Sequence, residues 1–171
     1  MFQSLVADFL IVDRALMWKD VPNDKRGNYD YVVDQLDWEA NIDPAFKEHH
    51  FLEPRPLCDP MDMHGEGYHE NWITYGNPYF SAKELTVYPG RSVSIRDAEA
   101  YGILCIQGYG RFGTFQISSP SLIRFGEITE DEFFITVGAA REGVTITNLS
   151  THEPLVMLKH FNAGNPEMPQ M

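Results

Sequence analysis

Between residues 1 and 18, Phe2, Leu5, Val6, Phe9, Leu10, Val12, Ala15 and Leu16 recur largely at intervals of three and four, the spacing of one buried helix face. Val21-Pro22-Asn23-Asp24 stops that helix. A second short helix is predicted over 29–38. A third starts at Asp43-Pro44, where Asp caps and Pro is tolerated in the first turn, and runs to His50. From Leu52 to Glu70 the chain is rich in Pro, Asp, Gly and Met without a period and reads as a long loop. After Trp72 the texture changes, and Gly, Pro and Ser punctuate short β-rich runs. The predicted strands are 80–88, 91–96, 101–107, 111–118, 122–126, 133–137, 144–148 and 155–161.

Eight short, evenly spaced strands favour a sandwich or closed barrel over any α/β design. With 171 residues and 19.6 kDa, the chain has room for one domain plus an extension. The expected organisation is a helical and loop arm over 1–71, a β-barrel over 72–163 and a frayed tail over 164–171. There is no internal repeat.

Charge narrows the partners. Thirteen basic against 25 acidic residues leave a net charge of −12, with −9 of it in residues 1–76. No Lys/Arg cluster supplies the basic face a polyanion needs, so neither nucleic acid nor an anionic membrane is an expected partner. No apolar run approaches the roughly 18 residues of a membrane span. Asp8 and Asp13 interrupt the first apolar stretch and no Lys or Arg precedes it, unlike a secretory signal, so a cytoplasmic location is expected. Cys58 and Cys105 fit neither a disulfide framework nor a zinc motif and read as free thiols.

Lys83-Glu84-Leu85-Thr86-Val87-Tyr88-Pro89-Gly90, followed by Gly102-Ile103-Leu104-Cys105-Ile106-Gln107-Gly108-Tyr109-Gly110, resembles the first motif of the cupin superfamily. Asp131 to Gly138, then Asn148 and Glu153 to Leu158, resembles the second motif and the closing strand. The resemblance covers about residues 72–162 and implies a mainly β, double-sheet jelly roll paired as a homodimer; with the segment read above, the expected fold is a cupin-type barrel with an N-terminal helical arm. It also exposes a departure. Metal-bearing cupins place His-x-His and Glu in the first motif and a further His in the second. Here Tyr101 stands where the Glu would be, Arg96 or Asp97 where a His would be, and Arg141 nearest the last His. Arg cannot ligate as His does, so the usual metal site is lost.

Two clusters remain as candidate chemistry. His160 shares a strand face with Val156 and Leu158. If that face lines the barrel, its imidazole joins Tyr101, Cys105 and Gln107, with His160 and Tyr101 as a proton-transfer pair and Gln107, Cys105, Arg96, Arg141 and Trp72 as ligand contacts. Alternatively, His160 is a hydrogen-bonded core side chain beside an inert thiol. His64, Glu66 and His69 cluster within the loop 64–70, a residue set that suits zinc, manganese or iron, or is simply solvated. His49-His50, adjacent on a helix, point apart and do not chelate, and His152 lies in a turn. Trp72, Tyr75, Tyr79, Phe80, Tyr88, Tyr101 and Tyr109 offer a stacking surface for a sugar or core packing. Gly108-Tyr109-Gly110-Arg111-Phe112-Gly113 spells a dinucleotide fingerprint but precedes a β-rich run, so it reads as a Gly-rich hairpin.

Two functions follow. One is a cupin-type protein that binds a small polar ligand, a carbohydrate or sugar derivative, as a sugar isomerase or epimerase; Arg96, Arg111, Arg124 and Arg141 are then candidates for a phosphate. The other is a non-catalytic, degenerate cupin serving as an assembly or ligand-binding module, its acidic arm packing on a second subunit.

Overall fold

The computed structural model describes residues 18–121, 126 and 128–170, and the chain divides after Phe51 into two units. The described residues of the first hold a 3-10 turn (Asn23–Lys25) and three short α-helices, α1 (Tyr29–Val33), α2 (Trp38–Ile42) and α3 (Phe46–His50). Side chains capture amide donors that a helix start leaves orphaned: Asn28 accepts from the Tyr31 amide and Asp37 from the Ala40 amide. The helix expected over 29–38 therefore stops at Val33, and the Asp37 cap starts a separate helix at Trp38. The Asp43 carboxylate accepts from the Ala45 amide and faces the His49 ring at 2.6 Å, so α3 starts later than Asp43-Pro44 suggested. The amphipathic helix expected over Phe2 to Leu16 lies outside the described residues.

The second unit is mainly β. Its elements are β1 (Arg55–Pro56), α4 (Pro60–Glu66), β2 (Tyr68–Thr74), β3 (Phe80–Val87), β4 (Ser92–Ile95), β5 (Tyr101–Phe112), β6 (Phe115–Ser119), β7 (Glu132–Ile135), α5 (Val137–Glu142), β8 (Val144–Asn148) and β9 (Leu155–Asn162). The strands run β1-β2-β3-β9-β5-β8-β4, with β6 and β7 also on β5, every pair antiparallel. The first half of β5 pairs with β9 and β7, and its second half with β8 and β6. One twelve-residue strand therefore belongs to both layers, and the antiparallel sheet curls about it into a barrel-like, mainly β unit. Leu85, Val87, Ile103, Ile146, Leu155 and Met157 fill the interior.

Several boundaries differ from expectation for local reasons. The stretch 52–70 is not a loop: Asp59 accepts from the Met61 amide, Pro60 occupies the first turn and Met63 is buried, so α4 forms and leads into β2. The barrel unit thus begins at Leu52 rather than Trp72. The strands expected at 101–107 and 111–118 are not divided at Gly108-Tyr109-Gly110. Gly108 has φ +85°, and a Cβ there would lie 2.5 Å from the Pro154 carbonyl oxygen. It is where two backbones pass closely beside the register shift between Cys105 and Gln107. The turn falls at Gly113-Thr114. Of the strand expected at 122–126, only Gly126 is among the described residues. Nor is the C-terminal end simply frayed: Asn165 is buried and Met168 packs on the core.

Candidate functional site in the barrel interior

Alternation along β3 turns Ser81, Lys83, Leu85 and Val87 inward, and along β9 it turns Leu155, Met157, Lys159 and Phe161 inward. The register sets Trp72 beside Lys83, Lys83 beside Lys159 and Lys159 beside Ile103. Two ammonium groups therefore face each other across neighbouring strands, fully buried. Like charges opposed in a sheet repel, and buried charge persists only when paired.

The pairing comes from Glu70 on β2 and from Asp97, which continues the inward phase of Val93 and Ile95 past β4. Lys83 Nζ donates to Asp97 Oδ1 at 2.8 Å and Lys159 Nζ to Glu70 Oε1 at 2.7 Å. Asp97 Oδ2 lies 2.5 Å from Lys159 Nζ, off the hydrogen-bonding direction. All four side chains are 0% exposed. Aromatic faces complete the enclosure: Lys83 Nζ is 4.6 Å from the Trp72 ring centre, Lys159 Nζ is 4.8 Å from that of Tyr101, and Phe161 lies 5.2 and 5.8 Å from the two amines. Burial disfavours the Lys83 charge, but Glu70, Asp97 and Glu167 outweigh it and hold the amine above the ordinary lysine pKa. Burial, reinforced by Asp97 and Glu70, lifts the Tyr101 phenol above its ordinary value, so it stays neutral.

Residues past β9 cover this end. Glu167 Oε2 lies 3.3 Å from Lys83 Nζ with its side chain 38% exposed. Asn165 Oδ1 accepts from the Glu167 amide, Asn165 O from the Met168 amide and Gln170 O from Arg55. Among the described residues, Glu70 Oε2, Ser81 Oγ, Tyr101 Oη and Asn165 Nδ2 are buried without a hydrogen-bonding partner, while Asp97 Oδ2 has its ion-pair contact with Lys159 alone. Ser81 and Tyr101 flank Phe161 in one cross-strand row, next to the row of the two lysines.

A metal, as carried by many cupins, does not fit this interior. Each carboxylate already holds a lysine, an ammonium has no lone pair to give, and a dication would sit against two fixed positive charges. Among the described residues, no three His, Cys, Asp or Glu side chains are gathered as a metal set.

Of the expected site residues, Tyr101, Trp72 and Cys105 are interior. The Cys105 thiol, pushed up to about 11 chiefly by burial, points at the Gln107 and Gly108 carbonyls. His160 is not interior. Leu155 to Leu158 are apolar on both faces, and Phe161 and Lys159 take the inward phase, so His160 faces outward. Its ring lies over Gly102, in an outer groove of about 520 Å³ with Leu104 and Phe134. Gln107 is exposed. Arg96 and Arg141 point outward and donate to the carbonyls of Glu142 and Ala98. Arg111 is exposed too, and Arg124 lies outside the described residues. His64, Glu66 and His69 do not converge: α4 ends between them, His64 meets the Tyr88 hydroxyl at 3.2 Å, His69 lies beside the same ring, and Glu66 is exposed. His49 pairs with Asp43 while His50 stacks on Phe46, and His152 is exposed. The aromatic set splits, with Trp72, Tyr75 and Tyr101 buried and Tyr79, Phe80 and Tyr109 exposed.

Lys83, Lys159 and Glu70 were not among the expected site residues, and Asp97 was considered only as a position where a metal-ligating His is missing. Their signal was phase: each stands at an inward position next to a large apolar residue of the same face, Leu85, Phe161, Trp72 and Ile95 respectively, where a charged residue is rare.

No family model and no curated protein matches this chain. Solved structures do resemble it. An RmlC-like cupin protein from Ralstonia eutropha is 8% identical, with 65% of this chain and 63% of that one covered and a TM-score of 0.44. A cupin-2 domain from Rhodospirillum rubrum is 16% identical over 62% of this chain and 66% of that one, with a TM-score of 0.41. The Rhodobacter sphaeroides complex of SigE with the anti-sigma ChrR gives 16% identity, 94% and 80% coverage and a TM-score of 0.44. The chain thus spans less than two thirds of the first of these structures. Among the described residues, no helix is long and apolar enough to cross a membrane.

Proposed function

We propose that this cupin-type barrel binds a small, hydroxyl-rich polar molecule of the carbohydrate kind at the end covered by residues 163–170, without a metal. The observation that carries the reading is the set of buried, unpartnered polar atoms around the two lysines. Leaving such an atom unpaired costs about 1–3 kcal/mol, a cost that a hydroxylated ligand removes by pairing them. The Trp72 and Phe161 rings add apolar faces of the type that sugars stack on.

Tyr101→Phe and Ser81→Ala test this. Each removes an unpartnered hydroxyl, so each should leave the protein at least as stable as the wild type while weakening binding of D-glucose or D-glucitol, read by saturation-transfer NMR. Loss of stability with unchanged sugar binding, or absence of sugar binding to the wild type, refutes the proposal.

A second reading, a sugar isomerase or epimerase, draws on Glu70 Oε2. This unpaired carboxylate oxygen would accept a proton from the carbon beside a sugar carbonyl, with the Lys159 ammonium answering the charge formed on oxygen. Exchange of that carbon-bound hydrogen with deuterated solvent, abolished in Glu70→Gln, is its test. The homodimer implied by the family resemblance belongs to the same proposal, and light scattering should then report twice 19.6 kDa.

A further inference from the structure

We infer that Glu167 occupies an anion subsite built on Lys83, and that a ligand's own carboxylate takes its place when residues 163–170 move aside; this rests on the ligand-binding reading above. The preferred ligand is then a small monocarboxylate such as a hydroxy acid or sugar acid, and not a phosphorylated one.

Charge is the first ground. Lys83, Lys159, Glu70 and Asp97 form a neutral quartet, all 0% exposed. Glu167 adds a third carboxylate that the quartet does not require. Its 3.3 Å contact is the longest of the lysine contacts in the cluster, and it is the one member that reaches solvent. The most weakly held anion sits on the residue nearest the exit.

The second ground is how the segment is held. β9 ends at Asn162, and beyond it Asn165 folds the chain back on itself through its side chain and its carbonyl. The Lys83–Glu167 pair, the Arg55 bond to Gln170 O and the packing of Met168 on the core hold it to the barrel. Displacing it breaks no strand ladder.

The third ground is what lies alongside. Ser81 Oγ and Tyr101 Oη, on strands that stay in place, are buried and unpartnered, and each hydroxyl can both donate and accept, so hydroxyls attached to an incoming carboxylate have partners to meet. Exchange of one carboxylate for another conserves the local charge. A phosphate dianion would leave an extra negative charge beside Glu70 and Asp97 in a poorly screened interior.

The experiment uses the full chain, wild type and Glu167→Ala, with sodium acetate as probe and sodium phosphate and sodium chloride at matched ionic strength as controls, read by thermal shift and by saturation-transfer NMR. Acetate should bind Glu167→Ala at least tenfold more tightly than the wild type, and phosphate should bind neither. Adding Lys83→Met with Asp97→Asn, which removes one charge of each sign, should abolish acetate binding. Equal acetate binding to wild type and Glu167→Ala, phosphate binding as tight as acetate, or acetate binding that survives loss of Lys83 overturns the inference. D-glucitol in parallel separates the two claims: polyol binding unaffected by Glu167→Ala and by acetate would leave the ligand-binding reading standing while this inference fails, and no polyol binding to any variant would count against both.

Discussion

Replacing Lys159 by Met deprives Glu70 of its 2.7 Å partner and Asp97 of its 2.5 Å neighbour. One amine then faces two carboxylates in a region with no solvent exposure, leaving a net negative charge buried. Breaking a buried pair from one side costs about 3–5 kcal/mol, a large part of the roughly 5–15 kcal/mol that holds a domain together. Glu70→Gln alone reverses the imbalance and leaves an excess positive charge, so it too should destabilise. The double variant leaves the Lys83–Asp97 pair intact at 2.8 Å and restores neutrality. It should therefore be more stable than Lys159→Met, with a coupling energy of about 2 kcal/mol or more opposing the sum of the singles. Urea denaturation of the four proteins, followed by far-ultraviolet circular dichroism, completes the cycle. Single substitutions that each cost under about 1 kcal/mol, or a double whose cost is their plain sum, would mean that the quartet is not a buried charge system.

Alkaline pH should unfold the protein early. Cys105, Tyr68, Tyr101 and Lys83 all have pKa values raised above 9.0, 10.0, 10.0 and 10.5, with Cys105 near 11 and Tyr68 near 12. Each holds its proton in the folded chain after the unfolded chain has lost it, so stability is complete below about pH 9 and falls as pH rises through the folded values. The urea midpoint measured from pH 8 to 11 should decline accordingly, and less steeply in Tyr101→Phe; a flat profile contradicts the shifts. His160→Ala, at an outward position over Gly102, should change stability by under about 1 kcal/mol, whereas a loss of several would return that ring to the core. Gly108→Ala combines a strained positive φ with a contact 2.5 Å from a backbone carbonyl and should cost about 2 kcal/mol or more, measured in the same denaturation assay.

The barrel was legible because its strands carry short apolar runs between turn residues, a signal that survives errors at the ends. What escaped was phase and context. In 155–158 both faces are apolar, so alternation could not say which side was inward, and His160 drew the choice to the wrong one. Phe161 broke the tie in the structure, and Lys159 came with it. Lys83 stands in the middle of β3 among Ser81, Leu85 and Val87, a charged residue on an inward face that becomes sensible only once Asp97, 14 residues on, is known to meet it. Tyr101 and Trp72 were reachable because large aromatics at inward positions need no partner to be placed. Glu70 lay in a stretch whose Pro and Gly content hid the start of β2, the strand that carries it.

The charge quartet has a consequence for how the chain is made. Lys83 meets Asp97 across 14 residues, but Lys159 meets Glu70 across 89 and Glu167 meets Lys83 across 84. On a ribosome emitting residues in order, Glu70 must wait for β9 to emerge before its counter-ion exists, and such long-range closure is slow. A nascent chain arrested before residue 155 would hold an unanswered carboxylate where the barrel should be dry, and it is the arrival of β9 that makes the interior electrically neutral.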